Sequence, residues 1–181
     1  MTKLLLDRFP SPIGDILLVS DGEQLHAIDY SNYEHRLLGL LQAHHPHLEL
    51  KPTHNPGGFS DRLQAYFSGQ LDAIEGLAVN PAGTTFQKEV WQALLTIPCG
   101  EVMSYGDLAQ QLGKPGAARA VGLANSKNPI SIVVPCHRVI GASGKLTGYA
   151  GGLERKRWLL RHEGATLPGL NSALEIQQRL F

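Results

Sequence analysis

Asn80-Pro81-Ala82-Gly83 divides this 181-residue chain into two stretches whose apolar residues follow different periods. A cluster of Asn, Pro and Gly between patterned segments reads as a linker. The boundary is drawn after Gly83, giving an N-terminal unit of residues 1–83 and a C-terminal unit of residues 84–181. Before the linker, Leu4 to Ser20 and Gln24 to Tyr30 alternate or cluster apolar residues around the turn formers Ser11-Pro12-Ile13-Gly14 and Asp21-Gly22. That pattern predicts antiparallel strands. Helices are predicted over Tyr33–Ala43, which carries Leu37, Leu38, Leu40 and Leu41, and over Ser60–Phe67. After the linker the period becomes helical. Thr84 stands three residues before Gln87, the spacing of a capping box, and Phe86, Val90, Trp91 and Leu94 fall on one side. The fold class expected is an α/β N-terminal domain followed by a mainly α C-terminal domain. A chain of this length can bury one good core or two small ones.

Ser104 to Gly113 reads as a short helix, capped by Ser104 and ended by Gly113, with Leu108 and Leu112 sharing a face. Lys114-Pro115 restarts the chain, and Gly116 to Asn125 reads as a second helix. Two helices joined by a tight glycine turn form a helix-turn-helix candidate. Gly116, Ala117, Ala118, Ala120, Gly122 and Ala124 leave the second helix few bulky side chains, and Arg119 is its long basic exception. Such a face either packs tightly in a core or approaches the backbone of another molecule.

The apolar run Ile132-Val133-Val134 leads into Pro135-Cys136-His137-Arg138-Val139. A thiolate is the nucleophile in cysteine chemistry, and a neighbouring imidazole makes it available. Proline pushes Val134 toward extended backbone, so the thiol is expected at a rigid strand end. Neighbours in a strand point to opposite faces. Cooperation between Cys136 and His137 therefore needs a bend in the backbone or a bridging water. Downstream, Leu146 to Gly152 is a glycine-rich turn, and Leu153 to Gly164 has helical spacing through Leu153, Arg157, Leu160 and Gly164. Glu163 falls in its last turn, where the macrodipole disfavours a carboxylate. An imidazole or imidazolium is the expected compensation.

Formal net charge is zero, but residues 1–83 carry 5 Lys/Arg against 10 Asp/Glu and residues 84–181 carry 11 against 6. Basic charge gathers where the helix-turn-helix lies, the footprint of a modest, salt-sensitive nucleic-acid binder. Cys99 and Cys136 do not suggest a disulfide framework, and Cys99 reads as structural. No apolar run approaches membrane-spanning length, and the N-terminal apolar core is too short for a signal peptide. A cytoplasmic, reducing setting is expected, without membrane association. His44, His45, His47 and His54 lie in a polar loop without nearby cysteine, so solvated histidines are expected rather than a metal site. Asn171 to Phe181 is expected to be helical through Leu174, Ile176 and Leu180, with no role assigned.

Taken together, the run around Pro135-Cys136-His137-Arg138-Val139, Ser104-Tyr105, Ala117 to Gly122, Asn128-Pro129, Gly148 to Gly152 and Trp158 to Gly164 resembles the O(6)-alkylguanine-DNA alkyltransferases, closest to their constitutive bacterial members. The resemblance is dense over residues 84 to 164. It implies a ribonuclease-H-like N-terminal domain and a winged helix-turn-helix in the C-terminal domain. It also implies direct-reversal repair: an alkyl group leaves O(6) of guanine, with O(4) of thymine as a second candidate donor, in double-stranded DNA for Cys136, irreversibly and once per chain. No cofactor is implied, and no metal, since this chain has no cysteine before Cys99 for the zinc of some relatives. In that scheme His137 deprotonates Cys136 through a water, Glu163 orients the imidazole, Tyr105 donates to a guanine ring nitrogen and Asn128 braces the thiol. Arg119 fills the space of the flipped base, while Ser104, Ala117, Ala118 and Gly122 meet DNA through the minor groove. Cys136, Val139, Tyr149, Ala150 and Gly151 surround the guanine, with Ala150 standing where some relatives have serine. The family implies a monomer. Two other readings remain open on the residues: a cysteine hydrolase built on Cys136, His137 and Glu163, and a DNA-binding regulator whose cysteine is structural or senses alkylation.

Overall fold

The computed structural model describes residues 2–168 and 170, so the segment from Asn171 onward lies outside it. Strands β1 (Thr2–Phe9), β2 (Ile16–Ser20) and β3 (Leu25–Tyr30) form an antiparallel meander. Ser11 closes the first turn by donating its hydroxyl to Gly14 O at 2.6 Å. Helix α1 (Glu34–Gln42) then crosses over to β4 (Leu48–Pro52), which pairs parallel to β1 and gives the order β3-β2-β1-β4. The segment expected as a polar histidine loop therefore contains a strand. Leu48 and Leu50 alternate with Glu49 and Lys51 and pack against the face where Leu37 and Leu41 of α1 meet Leu4, Leu17 and Val19. His44, His47 and His54 are exposed, but His45 is half-buried with its ring edge toward His26. Burial and the nearby His26 and His44 push the His45 pKa down. Among the described residues no group of three or more potential ligands is arranged to hold a metal ion.

Helix α2 (Phe59–Phe67) covers the other face of the sheet together with the C-terminal half. The linker is knitted to the edge of β3: Leu25 N donates to Ala78 O at 2.9 Å and Asn80 N to Leu25 O at 2.7 Å. Helix α3 (Thr85–Leu94) opens on the expected capping box, with Gln87 N donating to Thr84 Oγ1 and Thr84 N to Gln87 Oε1. Val90, Trp91 and Leu94 are its buried stripe. A short strand β5 (Met103–Ser104) leads into α4 (Tyr105–Gln111), and α5 (Ala118–Ser126) follows. Ser104 caps α4 by accepting from Asp107 N at 3.1 Å, and Gly113 ends it at φ +69°. Helix α5 begins two residues later than its small-residue run predicts, with Ala117 at the N-cap. Strand β6 (Val139–Ile140) pairs parallel with β5, and α6 (Leu153–His162) closes the described chain.

One core crosses both halves. Phe9, Ile16, Leu18, Ile28 and Tyr30 from the sheet meet Leu63 and Tyr66 from α2 and Val90, Trp91, Val121 and Val134 from beyond the linker. The edge of β3 is also paired: Ile28 N donates to Pro129 O at 2.9 Å and Ser131 N to Ile28 O at 3.0 Å. This bridge fixes the chain just before the cysteine.

Candidate active site

The segment Ile132-Val133-Val134 is not the strand that its β-branched residues predict. Residues 131–134 form a buried turn, and Ile132 holds φ +73°. A β-branched residue there stores backbone strain of about 1–3 kcal/mol, and surrounding contacts over-determine it. Asn128 supplies several of them. Its Nδ2 donates to Val134 O at 2.8 Å and to Ile130 O at 3.3 Å, while Oδ1 accepts from Ile130 N at 3.0 Å. Cys136–Arg138 then form one 3-10 turn. The thiol thus sits at the start of a tight bend rather than at a strand end, and the bend breaks the alternation that would have kept Cys136 and His137 on opposite faces.

Glu163 is the C-cap residue of α6, and a Schellman pair follows it, Gly164 N donating to Arg161 O and Ala165 N to Leu160 O. The helix dipole opposes a carboxylate at that end, yet Glu163 is only 5% exposed. Four donors compensate. Oε1 accepts from Tyr66 Oη at 2.8 Å, from His137 Nε2 at 2.9 Å and from Arg138 Nη2 at 2.9 Å, and Oε2 accepts from Arg138 Nε at 2.9 Å. Burial opposes ionisation, but His137 and Arg138 outweigh it and hold the Glu163 carboxyl well below the usual carboxylate range. An ionised carboxylate only accepts. The proton of a neutral His137 ring is therefore on Nε2, which leaves the Nδ1 lone pair as the basic site. Nδ1 is buried with no partner among the described residues.

Cys136 is 3% exposed, and burial pushes its pKa up, partly offset by the Asn128 amide and the positive charges of Arg36 and Lys156. Burial thus favours the thiol over the thiolate. A cavity of about 280 Å³ reaches it, lined by Tyr105 and Gly122 on one side and by Gly148, Tyr149 and Ala150 on another, with Asn125 and Ser126 completing it. That volume lies near the lower end of small-molecule sites, about 300 Å³.

The other expected residues divide. Tyr105 lies over Gly122, its ring 3.7 Å from where a Cβ would stand. Gly151 is buried behind the cavity, where a Cβ would run into the Tyr30 ring. Val139 is fully buried, and its carbonyl accepts from Lys156 Nζ at 2.6 Å. Ser104, Ala117, Ala118 and Arg119 do not line the cavity. Arg119 is exposed, and Leu123, one helical turn on, is 63% exposed.

Sequence reasoning missed several partners. Tyr66 and Arg138 complete the Glu163 site. Lys156 is fully buried and donates to Val139 O, Thr147 O and Gly148 O, tying the glycine-rich loop to β6. Burial pushes its pKa down to about 8. The buried stripe of α6 is Lys156, Leu159, Leu160 and Glu163, one residue out of phase with the stripe expected from Leu153 and Arg157. A lysine and a glutamate in i, i+3, i+4, i+7 register with two leucines was the available signal. Tyr30 Oη lies 2.9 Å from Tyr149 Oη, setting one cavity wall from β3. Arg36 of α1 pairs with the buried Asp29 and donates to Ser126 O at 2.9 Å and Asn128 O at 3.0 Å.

Comparison with known proteins finds relatives along nearly the whole chain. Residues 6–81 match a family described as 6-O-methylguanine DNA methyltransferase, ribonuclease-like domain, and residues 85–165 match 6-O-methylguanine DNA methyltransferase, DNA binding domain. The methylated-DNA--protein-cysteine methyltransferase of Salmonella typhimurium is 56% identical over 170 residues, covering 92% of this chain and 99% of that protein. The protein of the same name from Mycobacterium bovis is 52% identical over 161 residues, covering 87% and 91%. The crystal structure of Mycobacterium tuberculosis OGT in complex with DNA superposes with a TM-score of 0.75 at 47% identity, covering 92% and 96%. With both halves matched and identity above half to a full-length relative, the chain belongs to the 6-O-methylguanine DNA methyltransferase family.

Proposed function

We propose that this protein repairs alkylated DNA by direct reversal, moving a methyl or other small alkyl group from O(6) of guanine to Cys136. The observation that carries the reading is a buried thiol opening on a small cavity, one residue from an imidazole whose proton is fixed on the far nitrogen by Glu163. Methylated-DNA--protein-cysteine methyltransferases among its relatives bear the name of this reaction, and a structural relative was crystallised with DNA.

The chemistry follows the logic of nucleophile, base and orienter. The Cys136 S–H proton passes through a water to His137 Nδ1, and the imidazolium formed is stabilised by Glu163. The sulfur lone pair attacks the alkyl carbon while the carbon–oxygen bond breaks and its electron pair passes to the guanine. The Tyr105 hydroxyl donates a proton to a ring nitrogen, so the base leaves neutral. The product thioether has no leaving path, and each chain acts once. A base inside a duplex cannot reach this cavity, so it is flipped out. Arg119, exposed on α5, takes the vacated place in the stack, and the small residues Ala117, Ala118 and Gly122, with Ser104, let the helix approach the minor groove. The protein acts as a monomer, with residues 1–83 bracing and residues 84–181 carrying the DNA face.

The test mixes protein with excess duplex carrying O(6)-methylguanine. Transfer is expected to stop at one methyl group per chain, located on Cys136 by peptide mass. Cys136→Ser is expected to bind without transfer, and Arg119→Ala to lose repair of duplex more than of single strand. Repeated turnover would point to a hydrolase. Sequence-specific binding with an unmodified Cys136 would point to a regulator.

A further inference from the structure

Two consecutive residues of α6 grip the same residue of α2. Glu163 Oε1 accepts from the Tyr66 hydroxyl at 2.8 Å, and His162 Nε2 lies 2.7 Å from the Tyr66 carbonyl oxygen. A carbonyl only accepts, so His162 Nε2 carries a hydrogen and donates it. That carbonyl is among the last in α2 and also accepts from Gly69 N at 3.0 Å. Its two lone pairs allow both bonds, and histidine side chains pair with the final carbonyls of helices. The imidazole is itself held. It stacks on the Trp158 ring one helical turn earlier, with centroids 4.8 Å apart and 21° between the planes. It meets the Tyr66 ring edge-on at 5.0 Å. An apolar ring would satisfy this packing, so the nitrogen aimed at the Tyr66 carbonyl needs another account.

The two bonds act on opposite ends of Tyr66. One fixes where its backbone stands, and the other brings its hydroxyl to the carboxylate that also accepts from His137 Nε2. We propose that His162 is a positioning residue for alkyl transfer. By pinning the Tyr66 carbonyl it keeps the Tyr66 hydroxyl on Glu163, and so keeps the His137 ring in the orientation that transfer requires. This rests on the reading of Cys136 as the alkyl acceptor. His162 does not line the cavity that reaches Cys136, so its effect on transfer passes through Tyr66 and Glu163. Small misplacements of groups remote from the reacting atoms are costly to rate.

The experiment separates the bond from the packing. His162→Phe keeps a ring for the stack and removes the donor. His162→Gln keeps a donor at the place of Nε2 and gives up the ring. His162→Leu carries the same comparison as His162→Phe if the phenyl ring does not fit. Each variant is checked for folding by its thermal transition. Single-turnover transfer from O(6)-methylguanine duplex to Cys136 is measured, together with the proton resonance of His137 Nε2–H, whose downfield position reports the bond to Glu163. His162→Phe should slow transfer about threefold and move the resonance upfield. His162→Gln should restore both toward the natural values. In a Tyr66→Phe background, His162→Phe should slow transfer no further, because the link is already cut. A natural rate and resonance in His162→Phe overturns the proposal. So does an equal loss in folded His162→Gln, or effects of Tyr66→Phe and His162→Phe that multiply. Absence of any Cys136 methylation by the natural protein overturns the reading of the site instead, while the His137 resonance still tests the link.

Discussion

The Tyr66 hydroxyl on α2 donates to Glu163 Oε1 at 2.8 Å, the same oxygen that accepts from His137 Nε2. The N-terminal half therefore contributes directly to the carboxylate that holds the His137 ring. Tyr66→Phe removes this donor without emptying the core. Unfolding stability should drop by about 1.5 kcal/mol, as for a hydrogen bond to a charged group. Transfer should slow by about three- to tenfold, equivalent to roughly 1 kcal/mol at the transition state. Urea unfolding and single-turnover kinetics measure the two effects.

Glu163 also sets a response to acid. Its carboxyl is held below the ordinary value of 4.5 in the folded chain, so the unfolded chain binds a proton first as pH falls. The stabilisation is present above about pH 4.5 and declines below it, toward the folded-state value. Glu163→Gln should flatten stability against pH in that range. It should also cost about 3–5 kcal/mol at neutral pH, because Arg138 is left buried without its counter-charge. Denaturant titrations between pH 3 and 7 check both.

Lys156 responds in the opposite range. Its folded-state pKa is near 8 against an ordinary 10.5. Between these values the unfolded chain holds the extra proton, so stability rises with pH relative to a variant without the lysine. The burial penalty is fully present below pH 8 and relieved above it. Natural protein should gain about 1–2 kcal/mol over Lys156→Met between pH 7 and 9.5. Guanidinium unfolding at the two pH values gives the difference.

Arg36→Ala should be among the most damaging changes far from the cysteine. It strands Asp29, which is 1% exposed, and frees the carbonyls of Ser126 and Asn128. Breaking a buried pair from one side costs about 3–5 kcal/mol. The double variant Arg36→Met with Asp29→Asn should recover much of that loss, because no uncompensated charge remains. Thermal melting of the single and double variants distinguishes the charge effect from simple loss of packing.

Gly122, which lines the cavity, and Gly151, which lies behind it, should part company. Gly122→Ala places a Cβ 3.7 Å from the Tyr105 ring, an ordinary contact, so stability should stay within about 0.5 kcal/mol. Gly151→Ala drives a Cβ into the Tyr30 ring, and overpacking of this kind costs about 1–3 kcal/mol. Thermal unfolding of the two variants should separate them clearly.

The elements legible in the sequence were those fixed by neighbours. The Thr84 and Ser104 caps, the Gly113 and Gly164 stops and the meander of β1 to β3 are all local devices. The misreadings came where distant contacts overrode propensity. Ile132, Val133 and Val134 favour a strand one by one, yet Asn128 and the pairing with Ile28 bend them into a turn. β4 was hidden by its charges and its proline, because its partner β1 lies more than forty residues away. The phase of α6 was misjudged because the stripe was drawn through Leu153 and Arg157, and Lys156 was not counted on the buried face. Cys136, His137 and Glu163 were identified as a set through the family resemblance. Tyr66, Arg36 and Tyr30 came from the other side of the linker, and no spacing rule connects them to the cysteine.

The pairing of Ile28 with Pro129 and Ser131 has one further consequence. The reactive cysteine hangs from a loop stitched to the outermost strand of a sheet that belongs to the opposite half of the chain. Pulling the halves apart would unravel that stitch along with the anchors at Arg36 and Tyr66, so the nucleophile would lose its setting before it lost its fold.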